Sequence, residues 1–428
     1  MITSFIFIFL TGVAQGEGWD AFPGAQEALD LQCGHNPVGP LRPGVRQTYC
    51  AAIVDDGTKD ASSRSPWSYT PICVDPVDNS DEASKLCTYT VSSLRGGPGM
   101  SIITKPDIAA GLTSMLQHPE ISWLEKQRGV PFIPDTRVSY DIKELPNKGY
   151  GVISTAFIPK DSIVMLELPY MLKISDPSPW NHKGAIALMQ QAAKRLTSKD
   201  QSRLLQMARQ DKGYVLDDIF RTNSFRVTVE GVGHAALYPE IARINHDCKP
   251  NTIIRYSTQT LALEIVAYRD IEPGEEITLS YFALNLRYHQ RIQAIKSWGF
   301  NCSCSFCADE ATRQKSDRRR DDIARILQAI TRKENITRDI VSKAVGKLED
   351  LVNEEGLSAQ MGDLLYMVAD ACMAAKDFQL AREIGEEALK VQRRYAGFDN
   401  DRTQDVVKLL ETVDELEHGE ETAFASAS

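Results

Sequence analysis

Cys302, Cys304 and Cys307 stand in a C-x-C-x-x-C run, and this run constrains the chain more than any other stretch. The three residues are too close together for three independent disulfides. Zinc takes four soft ligands in a tetrahedron, so a local trio of thiolates lacks one. Cys248 is the other cysteine nearby, and residues 283–297 are helical in pattern, able to fold the run back onto it. The expectation is a structural zinc ion on Cys248, Cys302, Cys304 and Cys307. The alternative is three thiols in a loop, with one disulfide and a spare.

The residues leading to that run carry two more patterns. Asn245, His246, Asp247, Cys248, Lys249, Pro250 and Asn251 form a polar turn after an apolar segment, and residues 269–281 read Arg-Asp-Ile-Glu-Pro-Gly-Glu-Glu-Ile-Thr-Leu-Ser-Tyr. Upstream lie Lys148-Gly149-Tyr150-Gly151, Asn223-Ser224-Phe225 and the stretch from Gly231 through Tyr238 to Pro239. Together and in this order they resemble SET-domain protein lysine methyltransferases, most closely the SET-MYND branch, over residues 135–310. The family's Asn-His-Ser-Cys appears here with Asp247 in place of Ser. The cysteine-rich MYND finger that interrupts the SET domain in that branch is absent, since residues 169–235 contain no cysteine.

The resemblance implies an α+β protein: a mostly-β SET fold over 135–282 with a helical insertion at about 180–222, then a post-SET zinc segment over 283–310. It also implies S-adenosylmethionine as cofactor. By resemblance Lys148, Gly149, Tyr150 and Gly151 contact its amino-acid end, and Asn245 and His246 hold the adenine and methionine parts. Asn223 is a further cofactor candidate, Phe300 the aromatic on the adenine ring, and Tyr238 a substrate candidate near the lysine channel. Tyr281 is the catalytic candidate and a further cofactor contact. A phenol with an ordinary pKa near ~10 is a poor base at neutral pH, so its expected work is to orient the amine. Read without the family, each motif has a plainer meaning: Gly149 and Gly151 suit a hairpin turn, and Asn245-His246 a capping pair.

The flanks are less legible. Residues 1–16 hold an apolar run of about nine residues followed by small ones, the shape of a signal-peptide core and cleavage site and too short to span a membrane. Residues 17–120 are rich in Gly, Pro, Ser, Asp and Thr and contain Cys33, Cys50, Cys73 and Cys87. A loop-rich extension with two disulfides of undetermined pairing is expected there. Residues 312–322, with Arg318-Arg319-Arg320, read as a solvated linker or helix start. Apolar faces at helical spacing then recur from 323 to 417, so residues 322–418 are expected to form a helical bundle, with one tetratricopeptide-like pair over 365–389.

Net charge is −10 over 428 residues, which argues against a phosphate-binding surface and so against direct nucleic-acid contact. It suits a basic protein partner, and equally plain solubility. The implied activity is methyl transfer to a lysine of a histone or another protein, with no stable membrane insertion. The alternative is a catalytically silent SET-like scaffold acting through its helical tail, whose partner binding would survive Tyr281→Phe. The compartment is divided: the amino terminus, its cysteines and an Asn335-Ile336-Thr337 glycosylation triplet suggest secretion, whereas the cofactor and reduced thiolates suggest cytoplasm or nucleus.

Overall fold

A computed structural model describes residues 65–75, 85–117, 139–175 and 182–427, save 147, 212, 297, 299 and 333–335. The signal-like start, Cys33, Cys50 and Asn335 lie outside the described residues.

Three sheets build the first two thirds. The largest takes β1 (Ile72–Val74), β2 (Leu86–Val91), β3 (Met100–Thr104), β7 (Met171–Ile174), β9 (Val232–Leu237) and β8 (Phe225–Val229), in that spatial order. Its one parallel pairing joins β3 to β7, with Ile102 opposite Leu172. The second sheet runs β10 (Asn245–His246), β13 (Glu276–Leu279), β5 (Gly149–Ser154) and β4 (Tyr140–Leu145). The third runs β11 (Thr252–Tyr256), β12 (Leu263–Ala267) and β6 (Ile163–Glu167).

The expected boundary at residue 135 is therefore not a boundary in the fold. Leu86, Cys87, Met100, Ile102 and Ile103 are buried in the same core as Leu172, Phe225 and Leu237. Helix α1 (Pro106–Gln117) follows β3 and buries Ile108, Ala109, Leu112 and Leu116. Hydroxyls complete the join. The Thr90 and Ser101 hydroxyls are 2.8 Å apart, and Thr88 and Ser101 donate to the carbonyls of Leu188 and Ala192 on α2 (His182–Lys194). Each such bond is worth about 1 kcal/mol net, and leaving the group bare would cost more. Of the four amino-terminal cysteines, Cys73 and Cys87 form a disulfide across β1 and β2.

The insertion is helical as expected: α2, α3 (Ser198–Leu205, capped by the Thr197 hydroxyl) and α4 (Val215–Asn223). After β13 come α5 (Tyr288–Lys296), α6 (Ser305–Ala308) and α7 (Glu310–Thr331). The tail continues as α8 (Arg338–Glu355), α9 (Met361–Ala374), α10 (Phe378–Tyr395) and α11 (Asp401–Ala427). Residues 312–322 are the expected helix start and not the solvated linker. They lie inside α7, where Arg319 and Arg320 both pair with the buried carboxylate of Glu355, which also accepts from Ser316. Helices α9 and α10 fold back on each other through a short turn and, with α7, α8 and α11, enclose a separate core around Leu348, Val368 and Cys372. No helix among the described residues is long and apolar enough to cross a membrane.

Polar contacts fasten the tail to the third sheet. Arg255 on β11 donates to the Arg394 carbonyl (2.8 Å), and Asp161 accepts from Tyr395 (2.5 Å) and pairs with Arg394 (2.9 Å). The Asp399 carboxylate receives the Ser257 hydroxyl (2.7 Å) and the Gln259 amide (3.1 Å).

Candidate active site and metal centre

The two-residue strand β10 sets the site. Asn245 and His246 lie parallel to Thr278 and Leu279 of β13, which in turn pairs with β5. Asn251 locks the far end of this turn: its Oδ1 accepts from the Thr278 amide (2.8 Å) and its Nδ2 donates to the Glu276 carbonyl (2.8 Å). The Arg269–Glu275 ion pair braces the turn entering β13, and Glu275 also accepts from the Glu272 amide. Arg269, Glu275 and Asn251 thus explain much of the downstream pattern as scaffolding.

On one side of β10 stands a polar group built from three chain segments. Asn245 Nδ2 donates to the Tyr150 carbonyl (3.2 Å) and to Glu276 Oε1 (3.0 Å), while Lys148 Nζ meets Glu276 Oε2 at 2.6 Å. Gly149 has φ +68, where a side chain would strain the turn between β4 and β5. Gly151 is glycine for another reason: a Cβ there would overlap Leu145 and lie 2.8 Å from Asn245 Nδ2. Tyr150 is half-buried beneath the Arg243 guanidinium, 5.3 Å from its ring centre.

Tyr281 lies two residues past β13, almost fully buried. Its hydroxyl donates to the Ile244 carbonyl (2.9 Å), the residue before Asn245. Its amide donates to His246 Nδ1 (3.1 Å), which leaves the ring proton on Nε2, 3.4 Å from Cys248 Sγ. Burial, with the Glu276 charge adding to it, pushes the Tyr281 phenol well above its usual range, so it stays protonated. Around it the His246 ring centre is 5.2 Å away, Trp298 5.8 Å and Phe300 6.4 Å edge-on. Phe282 is 4.7 Å from His246.

Four sulfurs lie just beyond His246. The Sγ atoms of Cys248, Cys302, Cys304 and Cys307 all lie within 4.8 Å of one another, with Cys248 3.5 Å from Cys307 and 3.8 Å from Cys302. A tetrahedron with Zn–S bonds of ~2.3 Å has edges of about 3.8 Å. The donor set therefore fits a closed zinc site in both chemistry and spacing.

Two of the sequence-predicted residues stand elsewhere. Tyr238 is fully buried in the large sheet, edge-on to Phe225 at 5.7 Å, and its hydroxyl is spent on the Leu261 carbonyl (2.8 Å). It packs in the core of this fold. Asn223 ends α4 and commits its amide to the carbonyls of Ala208 (2.7 Å) and Ile219 (2.8 Å), holding the loop after α3. Glu276, Trp298 and Phe282 were missed. Trp298 and Phe282 have a signal in their positions beside Phe300 and Tyr281.

Comparison with known proteins agrees with this geometry. Residues 149–282 match the SET domain family. The histone-lysine N-methyltransferase set5 of Schizosaccharomyces pombe is 25% identical over 279 residues, covering 64% of this chain and 83% of that protein. The N-lysine methyltransferase SMYD2 of Homo sapiens is 26% identical over 195 residues, 39% of this chain and 43% of that one. A SET5 histone-lysine N-methyltransferase of Meyerozyma guilliermondii is 45% identical over a shorter span of 73 residues, 16% and 15% of the two chains. This chain spans most of the set5 protein's length but less than half of human SMYD2. The chain carries a SET domain over residues 149–282 and is homologous to the SET5 and SMYD2 lysine methyltransferases.

Proposed function

We propose that this protein is an S-adenosylmethionine-dependent protein-lysine N-methyltransferase. One observation carries the reading. Within the matched SET region, the Tyr281 hydroxyl is fixed on the Ile244 carbonyl, so the phenol, the Asn245–His246 turn and the glycine-lined hairpin of β5 meet at one place.

S-adenosylmethionine supplies a methyl group activated by its sulfonium, so the protein's task is placement more than activation. Asn245, already bonded to Tyr150 and Glu276, would offer its remaining polar edge to the cofactor. Lys148 and Glu276 would set the charge at its amino-acid end. The absence of side chains at Gly149 and Gly151 leaves the backbone bare there. Trp298, Phe282 and Phe300, packed around Tyr281 and His246, exclude water. Tyr281, kept protonated, orients the lysine amine through its oxygen, and the amine's proton leaves to solvent. Cys248, Cys302, Cys304 and Cys307 would hold a structural zinc ion that clamps the 302–307 segment beside His246. A protein substrate carrying a lysine, histone or otherwise, follows from the same chemistry.

Incubating the purified protein with methyl-labelled S-adenosylmethionine and a mixture of basic proteins tests this. Label appearing on lysine, and lost in Tyr281→Phe, is the expected result. No label, together with no cofactor binding by calorimetry, overturns the reading.

A further inference from the structure

The C-terminal end of α8 receives a cation from the turn that begins at Asn245. The last carbonyls of a helix have no partner within it. Here the Gly356 amide closes on the Asn353 and Val352 carbonyls, and the Leu357 amide on Val352 (2.8 Å). The Glu354 carbonyl accepts instead from Lys249 Nζ (3.2 Å), 105 residues earlier in the chain. The lysine charge also meets the negative end of the helix dipole.

Lys249 lies across that helix end. Gly356 has φ +68, and a Cβ there would stand 2.9 Å from Lys249 Cε and 3.0 Å from its Cγ, so the bare glycine makes room for the lysine stem. The ammonium is 5.3 Å from the ring centre of Phe306, inside the cysteine run. The Lys249 amide donates to Asp247 Oδ1 (2.7 Å), Cys248 precedes it, and Asn251 is locked to β13. One half-buried side chain thus touches the tail, the metal-bearing segment and the turn of the candidate cofactor site.

The helix end is itself fixed. The buried Glu355 carboxylate takes Ser316 (2.6 Å), Arg319 (3.0 Å) and Arg320 (3.2 Å) from α7, and Arg320 also donates to the carbonyl of Leu284, three residues past Tyr281. An isolated exposed lysine contact contributes little. Set against an anchored helix end, the same contact ties the turn to a rigid support.

We propose that Lys249 is the joint through which the helical tail positions the cofactor turn and the 302–307 segment. The proposal rests on the methyltransferase reading above. Lys249 is a positioning residue, because its ammonium is spent on α8 and Phe306 and its effect reaches the site through Asn245 and His246.

The test uses full-length wild type, Lys249→Met, Lys249→Arg, and Gly356→Ala in the wild-type and Lys249→Ala backgrounds. Calorimetry reads the affinity for S-adenosylmethionine, and amide hydrogen exchange reads the cofactor-free proteins. Lys249→Met should weaken cofactor binding about 3- to 10-fold, the scale of a part-exposed charge at a helix end with one cation–π contact. Exchange should quicken over 245–251 and 302–308 in the same variant, and Lys249→Arg should restore most of both. Gly356→Ala, pressing on the lysine stem from the tail side, should weaken binding in wild type and add nothing in Lys249→Ala, the non-additivity of two residues in one contact. Lys249 is only half-buried, so its own variants decide the matter even if Gly356→Ala fails to fold. A role in packing alone would lower Tm with affinity and exchange unmoved, and that result overturns the proposal while leaving the methyltransferase reading intact. Wild type that binds no cofactor overturns both.

Discussion

Gly151→Ala puts the sharpest strain on the proposed cofactor site with the smallest change. The added methyl would overlap Leu145 Cδ1, the far end of a half-buried side chain that can swing away at little cost. It would also lie 2.8 Å from Asn245 Nδ2, which cannot move freely because the Tyr150 carbonyl and Glu276 Oε1 already hold it. Shifting that amide by several tenths of an ångström weakens one or both bonds. Overpacking of this sort costs about 1–3 kcal/mol. If that cost falls on the geometry that receives the cofactor, Kd for S-adenosylmethionine rises about 5- to 150-fold, at 1.36 kcal/mol per decade. Isothermal titration calorimetry on both proteins reads this directly, and a thermal melt run alongside shows whether the strain also lowers Tm. A variant that binds the cofactor as tightly as wild type would refute the claim that Asn245 and the β5 backbone form one rigid wall.

Further outcomes are expected elsewhere in the molecule. Tyr281→Phe should lower the single-turnover methylation rate about 100-fold, the scale for misplacing a reactant by about an ångström, with the change in rate larger than any change in cofactor affinity by calorimetry. Stripping metal with a strong chelator should abolish cofactor binding and increase proteolysis within 298–310, read by mass spectrometry of the fragments; an intact, cofactor-binding apo form would contradict the clamp. His234 is fully buried in the large sheet, with Nδ1–H donating to the Val232 carbonyl and Nε2 facing the Thr104 hydroxyl at 2.9 Å. Burial lowers its pKa below the ordinary 6.5, so the unfolded chain takes up the proton first, and stability should fall as pH drops below about 6.5. Urea melts of His234→Gln between pH 7 and 5 should show a shallower slope than wild type. Reducing the Cys73–Cys87 bridge should cost about 3 kcal/mol on a loop-entropy basis, seen as a lower urea midpoint with reductant than without.

The central site was legible because its residues sit in short contiguous patterns whose backbone geometry is local. Asn245 and His246, Tyr281 and the cysteine run needed only two strand pairings, β10 to β13 and β13 to β5, to come together. What escaped was set by contacts distant in sequence. The packing of the first three strands into the main core was hidden because Thr88, Thr90, Ser101 and Thr104 point inward, satisfied by partners about a hundred residues away or on the next strand. That removed the apolar–polar alternation by which a strand is recognised. The same reversal disguised the start of α7, where a run of arginines reads as a solvated face until Glu355 is brought beside it. Tyr238 carries a contact to which its motif gives no clue: its hydroxyl has a backbone acceptor in Leu261.

The parallel pairing of β3 with β7 bears on how this protein is handled at the bench. Anyone trimming the chain to start at the SET match, residue 149, would strip three strands from one side of Met171–Ile174. The bared row of amides and carbonyls would be flanked by Leu172 and Leu237, an invitation to pair with a second molecule and precipitate. A fragment beginning near residue 65 keeps that seam closed, and should remain monodisperse where the shorter one does not.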